Sequence, residues 1–186
     1  MSWAIRVATL SIPPLTDSTE ARYGTVARDM AKSGDWITPR VWIDGKQVAY
    51  LGKPPLHFWA AALSTGLFGM NEFAVRFPSL VGAVLIVILM IVVLQRYVDR
   101  DLAYPAALIL SSCSAFFVFA GAVIIDMSLT FCTTGAIFSY LAFQMEAKKG
   151  LKRLSSLCIF AFLGLGFLTK GPVAGVMFGI PVFVWM

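Results

Sequence analysis

From Phe77 onward, long uncharged apolar runs alternate with short polar clusters. Phe77–Leu94 carries no charge for about 18 residues, close to the ~20 a helix needs to cross a bilayer. Arg96, Asp99, Arg100 and Asp101 follow it. A second uncharged run, Ala103–Ile125, is about 23 residues long and ends at Asp126. Met127–Phe143 leads into Glu146, Lys148, Lys149, Lys152 and Arg153. Leu154–Thr169 stops at Lys170, and the run that opens after Gly171–Pro172 is still apolar at Met186. Residues 77–186 therefore read as a transmembrane region of about five helices, incomplete at its C-terminal end.

The segment before Phe77 has a different pattern. Residues 1–12, with Arg6 among them, are too few to span and read as the remnant of a first transmembrane helix. Over Thr16–Gly34 the apolar positions Tyr23, Val26, Ala27, Met30 and Ala31 form one helical stripe, and Gly34 is a natural stop. The stripe predicts a helix lying in the membrane interface. Asp44–Gly45 between Val41–Trp42–Ile43 and Val48–Ala49–Tyr50 predicts a hairpin. In Gly52–Lys53–Pro54–Pro55 the prolines stiffen an extended backbone and hold Lys53 on a strut. Leu56–Leu67 is helical again and predicts a second interfacial helix. Residues 13–76 thus form a polar loop with short elements of its own. The fold class is an all-α polytopic membrane protein with a structured outer loop.

Composition supports lipid as the solvent. Hydrophobic residues make up 59% of the chain and charged residues 13%, whereas soluble domains run near a quarter charged. The net charge of +5 is accounted for by loops and helix ends, so no nucleic-acid partner is implied. Both the Arg96–Arg100 loop and the Lys148–Arg153 loop are short and basic, which places them on the cytoplasmic side. The loop before Phe77, Asp126 and Lys170 then share the opposite, outer face. Cys113, Cys132 and Cys158 sit in apolar runs without metal-site spacing and read as small buried hydrophobes.

Several polar residues are candidates for chemistry. Asp17 and Glu20 form a capping-box-like start to a helix, and the residues alone favour that structural role. Arg22 and Lys53 suit phosphate oxygens, Arg22 as a planar fork and Lys53 as a point charge. Asp126 between two apolar runs is a functional candidate by its cost, with a rim cap as the plain alternative. Lys170 before Gly171–Pro172 is similar. His57 reads as a packed or hydrogen-bonded side chain, and Trp3, Trp36, Trp42 and Trp59 as an aromatic belt, with Trp36 or Trp42 also able to stack on a sugar.

These residues fall in a familiar order: Glu20–Ala21–Arg22–Tyr23, Ser33–Gly34–Asp35–Trp36–Ile37–Thr38–Pro39–Arg40, Lys53–Pro54–Pro55–Leu56, Asn71–Glu72–Phe73–Ala74–Val75–Arg76–Phe77–Pro78, Asp126, and Leu168–Thr169–Lys170–Gly171–Pro172. The series resembles the N-terminal part of the protein mannosyltransferase and aminoarabinose lipid A transferase family, which has the GT-C fold. The resemblance implies transfer of a sugar from a polyprenyl- or dolichyl-phosphate donor to lipid A, polysaccharide or protein. It implies an inner-membrane enzyme acting on the periplasmic or external face, among membrane lipids. It assigns Asp17 or Glu20 and Asp126 to catalysis, and Arg22, Tyr23, Lys53 and Lys170 to the carrier phosphate.

Two positions depart from the family pattern. Thr19 stands where an Asp is common, with Asp17 two residues earlier. Gly52 stands where a Glu often precedes the Lys-Pro-Pro, the place near which some members bind a divalent metal, so no bound metal and no cofactor is predicted, with a divalent metal left open as the alternative. A transporter or channel component, in which Asp126 and Lys170 line a path, is the alternative function, as is an inactive fragment of the transferase.

Overall fold

Helices dominate because the long apolar runs satisfy their backbone groups internally, the one solution open to an isolated segment in lipid. The computed structural model describes residues 2–12, 14–15 and 18–185, with side chains from Arg6 onward. The elements run α1 (Ser2–Thr9), α2 (Ser18–Ser33), β1 (Arg40–Ile43), β2 (Lys46–Ala49), α3 (Leu56–Phe68), α4 (Glu72–Tyr97), α5 (Arg100–Ser112), α6 (Ser114–Phe119), α7 (Ile125–Met145), α8 (Lys149–Lys170) and α9 (Val173–Trp185).

Local chemistry explains the boundaries. Gly34, at φ 73°, ends α2 and its N–H donates to the Met30 carbonyl at 3.1 Å, an αL stop that glycine adopts freely. Asp44 (φ 50°) and Gly45 (φ 76°) both occupy the left-handed region, as a two-residue type I′ hairpin requires. The turn sets the register Val41↔Val48 and Ile43↔Lys46. Asn71 caps α4 by accepting from the Ala74 N–H at 2.8 Å, and Asp99 caps α5 by accepting from Asp101 N at 2.8 Å.

Among the described residues, α4 and α8 are long and apolar enough to cross a membrane. The second of the expected spans does not form as one continuous helix. The run Ala103–Ile125 breaks at Cys113, whose backbone is extended (φ −63°, ψ 121°) between α5 and α6. Ser111, Ser112 and Ser114 surround the break. Such hydroxyls offer the backbone local alternatives to the helix ladder, and Ser112 Oγ donates to the Ile109 carbonyl at 3.0 Å. Cys113 is consequently exposed, whereas Cys132 is buried and Cys158 half-buried.

The stripe on α2 does not face lipid. Tyr23, Val26, Ala27 and Met30 are buried, and Tyr23, Val26 and Met30 pack with Phe58 and Ala62 of α3, Val75 of α4 and Val123 and Ile125 before and in α7. An amphipathic stripe needs only an apolar partner, and here the protein supplies it. In α3, His57 and Phe58 are fully buried, while Leu63 and Leu67 are exposed. A second cluster joins Ala83 and Ile86 of α4 to Phe116, Ala120 and Met127. Leu108, Ile109, Phe160 and Phe183 point outward, an apolar exterior suited to lipid.

Candidate active site

The polar residues collect at two opposite ends of the α4–α7–α8 group. At one end the Arg96 guanidinium donates to Glu146 at 2.8 Å and the Tyr97 hydroxyl donates to the same carboxylate at 3.1 Å. At the other, Lys170 Nζ meets Asp126 Oδ1 at 2.5 Å, closing an ion pair between the end of α8 and the first turn of α7. The loop elements α2, β1–β2 and α3 pack at this second end.

Glu20 ties the loop to the helices. In the first turn of α2, its carboxylate accepts from Arg76 Nη2 at 2.9 Å and from the Val123 backbone N–H at 2.7 Å. Arg76 is 4% exposed and also donates to the Leu10 carbonyl at 2.8 Å. A buried guanidinium is tolerable only when paired and hydrogen-bonded, and these contacts provide both. Asp17, the companion carboxylate, lies outside the described residues.

Tyr23 and His57 pack against each other within electrostatic reach of Asp126. The Tyr23 ring meets His57 at 6.4 Å and Phe58 at 5.4 Å, both edge-on. Burial, reinforced by Tyr50, pushes the Tyr23 phenol up to about 12, so it stays protonated at neutral pH. His57 Nδ1 lies 3.0 Å from Ser128 Oγ, and burial pushes the imidazole down to about 4 against the opposing pull of Asp126. His57 is thus neutral, and it links the start of α3 to the first turns of α7.

Arg22 faces away from Tyr23. It lines a cleft of about 480 Å³ between α2 and the hairpin, together with Thr25, Trp42 and Tyr50. Asp29 fixes the hairpin over this cleft by accepting from Trp42 Nε1 at 2.7 Å. Tyr50 touches the hairpin, α2, α3 and the strut. Its backbone N–H donates to the Pro39 carbonyl at 2.7 Å, its ring stands 6.5 Å from that of Tyr23, and the ring covers Gly52. A Cβ at residue 52 would lie 3.1 Å from Tyr50 Cζ and 3.2 Å from its hydroxyl oxygen. Half-buried Lys53 follows directly, on the strut before α3.

The structure brings together Asp126 and Lys170, and sets Tyr23 near Asp126. It separates the adjacent Arg22 and Tyr23 onto a cleft wall and a core. Arg76 and Tyr50 were not singled out by sequence reasoning. An arginine in the first turns of an apolar helix was a usable signal for Arg76, because such a charge needs a partner. Tyr50 had no comparable signal, since its role arises from the folded-back hairpin.

Residues 52–186 match the dolichyl-phosphate-mannose-protein mannosyltransferase family. The chain belongs to that family. Among curated proteins, it is 30% identical over 178 residues to the undecaprenyl phosphate-alpha-4-amino-4-deoxy-L-arabinose arabinosyl transferase 2 of Sodalis glossinidius, covering 95% of this chain and 32% of that protein. The corresponding transferase of Aeromonas hydrophila is 31% identical, with 92% of this chain and 30% of the relative covered. The chain thus spans about a third of the length of these relatives. The crystal structure of ArnT from Cupriavidus metallidurans bound to undecaprenyl phosphate superimposes with a TM-score of 0.91 at 24% identity, over 99% of this chain and 34% of that one. The mannosyltransferase-family chain shares that GT-C fold, and with α4 and α8 it is an integral membrane protein.

Proposed function

We propose that this chain belongs to a membrane glycosyltransferase that moves a sugar from a polyprenyl-phosphate carrier to an acceptor at the outer, periplasmic face of the inner membrane. The observation that carries it is the Asp126–Lys170 ion pair where α7 begins and α8 ends, beside an apolar groove that Ser128 and Leu165 line. That groove, about 510 Å³, runs between α3, α4, α7 and α8 past Leu56, Trp59, Leu63, Phe77, Phe131 and Leu165. Leu56 begins the groove three residues after Lys53. A phosphate held at Lys53 therefore has an isoprenoid-sized path leading away from it. The relatives' names, which pair undecaprenyl phosphate with an arabinosyl transferase, support the donor class.

In the reaction, an acceptor oxygen attacks the anomeric carbon. The bond from that carbon to the carrier phosphate breaks, and its electron pair stays on the phosphate oxygen. Arg22, Lys53 and Lys170 stabilise the charge that develops there. The acceptor proton passes to a carboxylate. Glu20 is engaged by Arg76 and the Val123 N–H, which suits a positioning role and leaves Asp17 as the favoured base. Asp126, held by Lys170, orients the reacting groups.

The test is transfer from a radiolabelled polyprenyl-phosphate sugar in membranes carrying the full gene product. Lys53→Ala and Asp17→Ala are expected to abolish most transfer. Undiminished transfer in both variants overturns the site assignment, and no transfer by the unaltered protein to any lipid or protein acceptor overturns the function.

A further inference from the structure

We propose that the outward face of α8, at the end of the molecule opposite Asp126 and Lys170, holds an anionic glycerophospholipid. Its phosphate lies against Lys149 and Arg153, and an acyl chain runs along Leu157, Phe160 and Gly164.

The first observation is a cluster of cations without counter-charges. Lys148, Lys149, Lys152 and Arg153 stand at the start of α8. Lys148, Lys149 and Arg153 are exposed, and Lys152 places its Nζ 4.8 Å from the centre of the Phe143 ring. Among the described residues, none of these four cations forms an ion pair. Glu146, the acid of the α7–α8 connection, is engaged by Arg96 and the Tyr97 hydroxyl. The first turn of α8 contains no acidic residue, and Lys148 supplies no side-chain cap. Lys149 and Arg153 are one helical turn apart, a like-charge spacing that opposes the helix. Both also stand at the positive end of its dipole. A bound anion offsets both costs.

The second observation is shape. Lys149, Arg153, Leu157, Phe160 and Gly164 recur at steps of three and four along one face of the helix. Leu157 and Phe160 are 59% and 71% exposed, and a Cβ at Gly164 would meet nothing within 4 Å. The packed side of α8 is the other one, where Phe162 meets Phe131 and Gly166 approaches Ala174. From Arg153 to Gly164 the helix rises about 16 Å, close to the ~15 Å of hydrocarbon in one leaflet. Cations at one end of an open apolar strip of that depth fit an amphiphile with a phosphate in its headgroup. A soluble anion would use the cations and leave the strip bare, and an apolar helix would do the reverse.

The experiment titrates the purified full gene product in a neutral detergent with phosphatidylglycerol or phosphatidylcholine and counts bound lipid by native mass spectrometry. Phosphatidylglycerol is expected to bind roughly tenfold tighter, and raising the ammonium acetate concentration is expected to erase that preference. The double variant Lys149→Gln/Arg153→Gln is expected to lose the preference at low salt. Lys152→Gln, whose ammonium is already turned to Phe143, is expected to keep most of it. The salt response needs no substitution and decides the charge contribution even where the double variant fails to fold. Equal affinity for the two lipids overturns the proposal, and is the result expected if the remainder of the full gene product covers this face. A preference unmoved by salt, or one that survives in the double variant, overturns it as well.

Discussion

Arg76 of α4 reaches Glu20 of α2 across 56 positions of sequence and closes a 2.9 Å ion pair almost out of water, with 4% and 13% of the two side chains exposed. Glu20 simultaneously accepts from the Val123 N–H, so one carboxylate joins the loop, the first long helix and the segment before α7. Removing one partner strands the other charge. Arg76→Ala is expected to cost about 3–5 kcal/mol of stability, more than Glu20→Gln, which keeps a neutral acceptor. Thermal unfolding of the two single variants and the double variant in detergent checks this. Equal, small losses in both singles would contradict it.

The Asp126–Lys170 pair has the opposite character. Its side chains are 51% and 28% exposed, and exposed pairs contribute about 0–1 kcal/mol. Lys170→Ala should therefore leave the melting temperature nearly unchanged while lowering transfer by roughly a hundredfold, in line with removal of a group that stabilises developing charge. A variant that unfolds as readily as it loses activity would assign Lys170 to structure instead.

His57 makes stability pH-dependent. Burial lowers its folded pKa to about 4 from an unfolded value near ~6.5. The unfolded chain then binds the extra proton first as pH falls. The stability held above pH ~6.5 is lost progressively toward pH ~4, by about 3 kcal/mol in total. His57→Asn, which can still bond Ser128, is expected to flatten that part of the profile. Denaturation followed between pH ~7 and ~4 is the measurement, and an unchanged slope in the variant would sink the assignment.

Helix contact depends on glycine at Gly166. A Cβ there would lie 2.8 Å from the Ala174 Cβ and 3.4 Å from the Cys132 Cβ, and neither methyl-sized neighbour can swing aside. Gly166→Ala is expected to destabilise by about 1–3 kcal/mol through overpacking between α8, α9 and α7. Gly164→Ala on the same helix meets nothing within 4 Å and serves as the control. Matching unfolding temperatures for the two would refute the packing argument.

Much of the architecture was legible because it is local. The αL stop at Gly34, the Asp44–Gly45 turn and the start of α3 after Pro55 each follow from the backbone preferences of one or two residues. The break at Cys113 was hidden by an apolar, uncharged run, because hydropathy does not register hydroxyls that compete for backbone bonds. The stripe on α2 was visible, but its partner was not. Periodicity says that a face is apolar, and lipid and protein satisfy it equally.

The sequence by itself determined the elements, the lipid-facing character of the helices and the order of the motifs, since these depend on neighbours along the chain. Only the tertiary structure decided which charges neutralise each other. Glu20 with Arg76, Asp126 with Lys170, and Tyr50 over Gly52 are settled by packing between separate elements. At a few ångströms in a poorly solvated site, such distances govern both the energy and the chemistry.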